Sequence, residues 1–425
     1  MPDFKPTQPE QEEVVLNLPD SQLEVKHFTE YSFNTNFLTP TDGWAFTVAQ
    51  ERLSEEVMRA LKPGAAVKLT INGGVESSGY IDSIEITASR GSGTEWHIHG
   101  RDRLAQAVDA CADPTIAFKE GQTLLDLMKT IFAPFGWSEE KHFIADQLDA
   151  KKDARTGALR NKVRRSDAKG YGRKAIREYQ LHQVKPYMRE GAFAFASRVA
   201  QRFGLWIWAT PTGEQLAVSK PDFDTDPLYE IRRNYDGTTN VLEGSVKFDI
   251  ADQPTHIVAS GWTQSGEFSG SAMKAVYANT AVVGPDGGDS NVAPDAVQKY
   301  VAAGARVLGG QTFHDDFRLS VPRTKILYLA DPESLTKEQL EAYARREMAL
   351  LQRKALTVSY TVEGHAQDTP KHGFVPWTVD TIVRVDDDIA DLHEDLYVLG
   401  RTFHKSRSGG TTTHLDLIRR NTLFF

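Results

Sequence analysis

Apolar and polar residues alternate with a period of two along much of this chain. The stretch Val67–Asp102 shows it best. Val67, Leu69 and Ile71 alternate with polar neighbours, and Asn72-Gly73-Gly74 supplies the positive φ angles of a short reversal. Tyr80–Ile86 is a second run, closed by Arg90-Gly91-Ser92-Gly93, and Glu95–Gly100 is a third. The same plan returns near the C-terminus. Thr381–Val385 is followed by Asp386-Asp387-Asp388, Leu396–Phe403 by Ser408-Gly409-Gly410, and Thr412–Ile418 forms the last run. A further strand precedes each meander, Gly43–Val48 in one case and Leu356–Val362 in the other. The linkers between carry proline, as Pro63-Gly64 and Pro376-Trp377. We read one β-domain used twice, against the plainer alternative that any two antiparallel meanders share period two.

Between the meanders the period changes. Leu124, Leu125, Met128, Ile131 and Phe132 recur at helical spacing behind Thr123, a residue suited to cap a helix. Pro134-Phe135-Gly136-Trp137 stops that helix, and Ala192–Phe203 reads as another, with Gly204 placed to end it. Leu205–Ala209 and Gln215–Val218 read as a hairpin, and Leu335–Lys354 as a long helix with Thr336 and Gln339 as its capping box. Phe33–Thr41 reads as a loop with exposed aromatics, and His256–Ser260 as a strand of the second β-domain.

The expected fold class is α+β, mainly β: two similar antiparallel β-barrel domains, an α+β domain between them and an insertion in the second barrel. The expected boundaries are a flexible arm over 1–13, a first barrel over 14–111 and an α+β domain over 112–222 that contains a basic segment, 151–177. The second barrel then takes 223–262 and 319–420, with the insertion at 263–318 and a C-terminal tail at 421–425.

At 425 residues, 25% charged and 40% hydrophobic, the chain has the composition of a globular protein of several domains. Its formal charge of −9 argues against a general binder of nucleic acid or anionic membrane. The single cysteine, Cys111, excludes an intrachain disulfide framework and a CxxC metal site. No secretory signal is visible in MPDFKPTQPEQEE, and no run of 18 apolar residues suggests a membrane span. The expected setting is therefore a cytoplasm. Charge is unevenly spread. Lys151–Arg177 holds eleven Lys or Arg against Asp153 and Asp167, which leaves the rest of the chain about twice as acidic as the total. Lys151, Lys152, Arg155, Arg160, Arg164 and Arg165 are candidate interface residues, toward a neighbouring subunit or nucleic acid, unless the segment is simply a solvated loop. Leu423, Phe424 and Phe425 place apolar side chains in the final tail, suited either to docking or to tucking into their own domain.

Motifs for catalysis are missing from this inventory. There is no phosphate loop, dinucleotide fingerprint, nucleophile elbow or HExxH pair. His97 and His99 share a strand face near Asp102, but spacing fixes no third metal ligand, and no metal or cofactor is expected. His314-Asp315-Asp316 and Asp386-Asp387-Asp388 are dense in carboxylates, yet a glycosidase needs two facing each other across a cleft, and an Asp triplet between strands reads as a turn. Trp206 and Trp208 share a strand face, as a sugar platform would, although packing of the hairpin on the 192–203 helix accounts for them.

Several of these pieces occur together in a known order: Gly100-Arg101-Asp102 followed by LAQAVDA, EGAFAFASRVAQRFG leading to Val218-Ser219-Lys220-Pro221, Pro376-Trp377-Thr378, Leu396–Gly400 and Ser408–Leu417. In that order the chain resembles the baseplate hub proteins of contractile phage tails, the Mu-like and P2-like late control protein D group. The resemblance spans most of residues 14–420 and departs from the family at Lys151–Arg177 and over 263–313. It implies a structural, non-catalytic homotrimer, a symmetry adaptor in the virion baseplate that joins a sixfold tail tube to a threefold central spike. Its partners would be itself, the tail tube protein, the central spike protein and other baseplate proteins. DNA would pass only as non-specific cargo, and there would be no membrane insertion. Assembly would take place in the host cytoplasm. The alternatives are a tail-associated cell-wall hydrolase and the hub of a non-viral contractile injection system.

Overall fold

A computed structural model describes residues 13–118, 122–144, 184–201, 205–263, 271–278, 298, 307–309, 325–330 and 337–420, apart from 92, 222, 224, 371, 372 and 408. The chain divides into two compact units, Met1–Gly244 with Ser359–Leu417, and Ser245–Val358 with Ile418–Phe425.

The first meander forms as its alternation requires. It consists of β1 (Val14–Leu18), β2 (Leu23–Val25), β3 (Glu30–Asn36), β4 (Gly43–Ala49), helix α1 (Glu55–Ala60), β5 (Ala66–Ile71), β6 (Gly74–Ser89) and β7 (Gly93–Asp102). The β5–β6 turn is made by Asn72 at φ 50° and Gly73 at φ 77°. Ser54 caps α1 by accepting a hydrogen bond from the Val57 amide at 3.2 Å. The expected loop over Phe33–Thr41 is in part a strand: Tyr31 and Phe33 alternate inward along β3 and are buried. Their polar neighbours Asn34, Thr35 and Asn36 hide a pattern only two apolar residues long.

Next come α2 (Ala105–Asp109), α3 (Leu124–Phe132), β8 (Phe143–Ile144), α4 (Ala192–Gln201), β9 (Trp206–Ala209) and β10 (Leu216–Ser219). Thr123 caps α3 in a reciprocal box with Asp126. Leu124, Leu127, Met128, Ile131 and Phe132 close a core with Phe195, Val199 and the strand residues Ile207, Leu216 and Val218. Gly136, at φ 93°, turns the chain after α3.

The second meander comprises β11 (Tyr229–Arg233), β12 (Val241–Phe248), then, after the second unit's own elements, β17 (Leu356–Glu363), the hairpin β18 (Ala366–Thr369) and β19 (Gly373–Pro376), β20 (Ile382–Asp387), β21 (Leu392–Ser406) and β22 (Gly410–Arg419). The order β3-β4-β7-β6-β5-β1 in the first repeat is matched by β12-β17-β22-β21-β20-β11 in the second. Local geometry repeats as well. The Gly64 amide donates to the Ile81 carbonyl and the Ile81 amide to Ala65, while Asp380 donates to Val398 and Val398 to Thr381. Gly64 and Asp380 both have positive φ, 83° and 59°, as do the turn glycines Gly93 and Gly410. Thr47 Oγ1 lies 3.1 Å from His97 Nδ1, and Thr361 Oγ1 lies 3.1 Å from His414 Nδ1. One difference stands out: β1 runs antiparallel to β5, whereas β11 runs parallel to β20.

The chain is mainly β, as expected, but the expected two β-barrel domains do not stand out as separate barrels in this topology. Strands of both repeats join one 13-stranded sheet, because β21 bonds to β3 of the other repeat, and no barrel closes among the described residues. Periodicity reports which face a strand buries; it does not report which strand meets its edge.

The second unit holds β13 (His256–Thr263), β14 (Ser271–Ala278), β15 (Val307–Gly309), β16 (Ile326–Ala330) and helix α5 (Lys337–Gln352). Its sheet runs β15-β14-β13-β16, so His256–Ser260 lies in a sheet of its own and not beside β11 and β12. Leu340, Ala344 and Met348 of α5 pack on Ile257, Ala259, Ala275 and Tyr277.

A buried ion pair ties β11 to β20. Asp387 is fully buried and accepts from Arg233 at 2.6 and 3.0 Å, from the Tyr360 hydroxyl at 2.6 Å and from the Ile389 and Ala390 amides. Burial works to raise its pKa, but the Arg233 fork and the Tyr360 hydroxyl outweigh it and hold the carboxyl below the usual range. Asp386 and Asp387 thus end a strand and do not form the turn expected of the Asp triplet. Asp387→Ala leaves the Arg233 charge half-compensated in a dry site, so urea unfolding is expected to show a loss of about 3–5 kcal/mol; a loss within the range of an exposed ion pair would disprove the clamp.

Candidate assembly interface

Two repeats meet within the first unit where β21 passes from its own repeat to the other. Leu392–Tyr397 pairs with β20, and Gly400–Lys405 pairs with β3 in the register Gly400↔Asn36 to Lys405↔Tyr31. Gly400 leaves room for the Asn36 side chain, whose nitrogen would lie 2.7 Å from a Cβ at that position. Asn34 Nδ2 donates to Thr402 Oγ1 at 2.8 Å, and Phe33 packs on Phe403 with ring centroids 6.3 Å apart.

The junction is locked by a buried charge pair. Arg401 donates to Glu76 at 2.5 Å and to the Trp377 carbonyl, and both charged side chains are almost fully buried. The guanidinium lies 4.1 Å above the Phe403 ring, which compensates part of its lost hydration. Such a pair adds little net stability over an apolar replacement, but it penalises every arrangement that separates its members.

Beside it sits a polar relay. Thr413 Oγ1 donates to the Gly364 carbonyl at 2.6 Å, so it must accept from His365 Nδ1 at 3.2 Å. His365 Nε2 is then an acceptor, and the Tyr31 hydroxyl donates to it at 2.8 Å. Burial, and after it the Arg401 charge, push the imidazole down to about 3, so it is neutral at physiological pH. The ring stacks on Phe403 at 4.2 Å.

Among the described residues the first repeat has no counterpart of this crossing. Its β6 pairs with β5 over Gly74–Tyr80 and then bends at Asp82, where the β6–β7 register shifts. Arg101 fixes the bend by a fork to Asp82 at 2.7 and 3.2 Å and a second to Asp109 at 2.6 and 3.0 Å. Its hydrogen bonds to Asp109 and Asp82 raise its pKa. The Gly100-Arg101-Asp102 motif is thereby accounted for. A Cβ at Gly100 would strike the Trp44 ring at 2.2 Å, and Asp102 accepts from the Asp42 and Leu104 amides at 3.1 and 3.0 Å. Burial, with the Asp42 charge beside it, pushes the Asp102 carboxyl well above its ordinary value.

Other candidates resolve as follows. His97 is held between Thr47 and Thr87 at 3.1 and 3.0 Å, and Asp102 is turned to the backbone amides, so these two do not converge as metal ligands. Among the described residues Asp386, Asp388 and His393 form one group of metal-type donors. Asp386 and His393 there bond to each other at 2.6 Å, with Asn234 donating to Asp386 at 3.3 Å. Trp206 and Trp208 flank Phe37 at 5.3 and 5.2 Å, an aromatic cluster and not an open sugar platform. Lys151, Lys152, Arg155, Arg160, Arg164, Arg165, Leu423, Phe424 and Phe425 lie outside the described residues, as do His314-Asp315-Asp316. Glu76, His365 and Arg401 were not singled out from sequence. The one signal was a charge in the otherwise uncharged run Leu396–Phe403.

This fold of repeated meanders is shared with tail proteins of known structure. Over 97% of its length the chain matches the tail protein from Neisseria meningitidis MC58, at a TM-score of 0.67, 20% identity and 98% of that chain. A 43 kDa tail protein of prophage MuSo2 from Shewanella oneidensis matches at 0.67 and 17% identity, over 97% of this chain and 99% of that one. The Francisella PdpA-VgrG complex matches at 0.50 and 9%, over 98% of this chain and 54% of that one. Residues 22–102, most of the first meander, match the family described as Mu phage baseplate assembly protein GpP-like, N-terminal. No curated protein sequence matches the chain.

Two predictions test the junction. Glu76→Ala strands Arg401 in the core and should cost about 3–5 kcal/mol in chemical denaturation, whereas Glu76→Leu combined with Arg401→Met should cost less than either single change. His365 has a folded-state pKa below its unfolded value of 6.5, so the unfolded chain binds the extra proton and stability falls as pH drops below 6.5. Melting temperatures between pH 6.5 and 5 should decline in the parent, and His365→Gln should flatten that decline; equal slopes would refute the neutral relay.

Proposed function

We propose that this chain is a structural subunit of a contractile phage tail, the baseplate hub, acting as a homotrimer that adapts a sixfold tail tube to a threefold central spike. The observation that carries this reading is the repeated strand order in one chain, its first copy matching a Mu-type baseplate domain. Three copies of two repeats present six similar surfaces on one side while keeping threefold symmetry on the other. Its partners would be itself, the tail tube protein, the spike and neighbouring baseplate proteins, in a virion component assembled in the host cytoplasm. The buried charges described above are spent on holding strands together, which supports a structural role over a catalytic one. Among the described residues no helix is long and apolar enough to cross a membrane. The acidic balance of the chain suits a passage for DNA that does not bind it.

The domain boundaries read from sequence, and the assignment of Lys151–Arg177 to a subunit or nucleic-acid contact, belong to the same proposal. The likeness to a VgrG complex favours, as a second reading, the same hub in a non-viral contractile injection system.

Native mass spectrometry of the full chain should show an assembly of three 47.3 kDa chains, alone or with a spike protein. A monomer that persists at every concentration, together with clearing of peptidoglycan in a zymogram, would overturn the hub reading in favour of a hydrolase.

A further inference from the structure

The internal repeat assigns a partner to an edge that the single chain leaves open. From the hydrogen bonds at Ile81 and Val398 and the turns at Gly93 and Gly410, β6 and β21 correspond residue for residue, so Ser83–Ala88 occupies the place of Gly400–Lys405. In the second repeat that edge is covered by β3. In the first, no strand among the described residues pairs with it. Side-chain burial marks the same difference: Phe403 is 0% exposed under Phe33 and His365, while Ile86, in the equivalent position, is 54% exposed.

The strand equivalent to β3 is β12. It lies outside β17 as β3 lies outside β4, and it ends the sheet. Its Leu242 is 62% exposed. The chain therefore has both halves of a second junction, and among the described residues neither half is paired. Open edges of this kind invite pairing with another chain unless they are covered.

We propose that β12 of one copy adds to β6 of the next over Ser83–Ala88, reproducing between copies the β3–β21 ladder seen within each. The partner is a second copy of this chain because Ser83–Ala88 corresponds to the stretch of β21 that β3 covers, and β12 is the β3-like strand left over. Repeated head to tail, such a heterologous contact closes after three copies if the step between repeats is one sixth of a turn. Three junctions then lie within chains and three between them. This rests on the trimeric hub reading and specifies which edges make it.

Amide hydrogen exchange followed by mass spectrometry on the full-length chain tests it, comparing samples that native mass spectrometry reads as monomer and as trimer. Amides in Ser83–Ala88 and Val241–Phe248 should exchange at least about tenfold more slowly in the trimer, while those in Gly400–Lys405, already paired, should not change. Ile86→Lys should weaken trimer formation at least about tenfold, and Met188→Lys, an exposed control on neither edge, should not. A trimer in which both stretches exchange as they do in the monomer would overturn the strand pairing and leave the hub reading standing. Failure to form any trimer would overturn both.

Discussion

How the single edge of β21 is shared governs the architecture of the first unit. Leu392–Tyr397 bonds to β20 of its own repeat, and Gly400–Lys405 bonds to β3 of the other. A strand of 15 residues can do this only by being long enough to outrun its first partner. Gly400 then allows Asn36 to approach, and β3 takes over the exposed amides and carbonyls. The consequence is an open sheet of 13 strands in which two similar meanders are continuous.

Polar groups at the crossing fix the arrangement more than they strengthen it. Removing Arg401 and Glu76 from water costs nearly as much as their attraction returns, so their value lies in the alternatives they exclude. A one-residue slip of β3 along β21 would turn Tyr31 away from His365 and Phe33 away from Phe403, and would bury polar groups in their place. Neutral His365 fits the same logic: it offers one donor and one acceptor, and the Thr413 and Tyr31 hydroxyls match both. Asp387 performs a comparable task at the far side of the repeat, where Arg233 and Tyr360 converge on a strand end.

Two copies of a meander in one polypeptide can diverge: here the edge at Gly400–Lys405 is covered by β3, while no described strand pairs with its counterpart at Ser83–Ala88. The parallel pairing of β11 with β20, against the antiparallel pairing of β1 with β5, shows that divergence has reached the strand directions at the rim while the central five-strand order has held.

Much of the local structure was legible in the sequence. Alternation placed β5, β6 and β7 and their later counterparts, Asn72-Gly73 marked a turn, Thr123 a cap, and the spacing of Leu124, Met128 and Ile131 a helix. These features depend on residues a few positions apart, where φ preferences and side-chain period act directly. The strand over Glu30–Asn36 was missed because two apolar residues among amides are too short a pattern. The charged residues at the junction were missed because their partners lie 325 positions away in Arg401–Glu76 and 334 in Tyr31–His365. What the sequence by itself determined was the repetition of a meander and the faces its strands bury. Which strand meets which edge, and hence the joining of both repeats in one 13-stranded sheet, was decided by tertiary structure, since backbone hydrogen bonds at a sheet edge are the same for every residue type and only long-range packing selects among them.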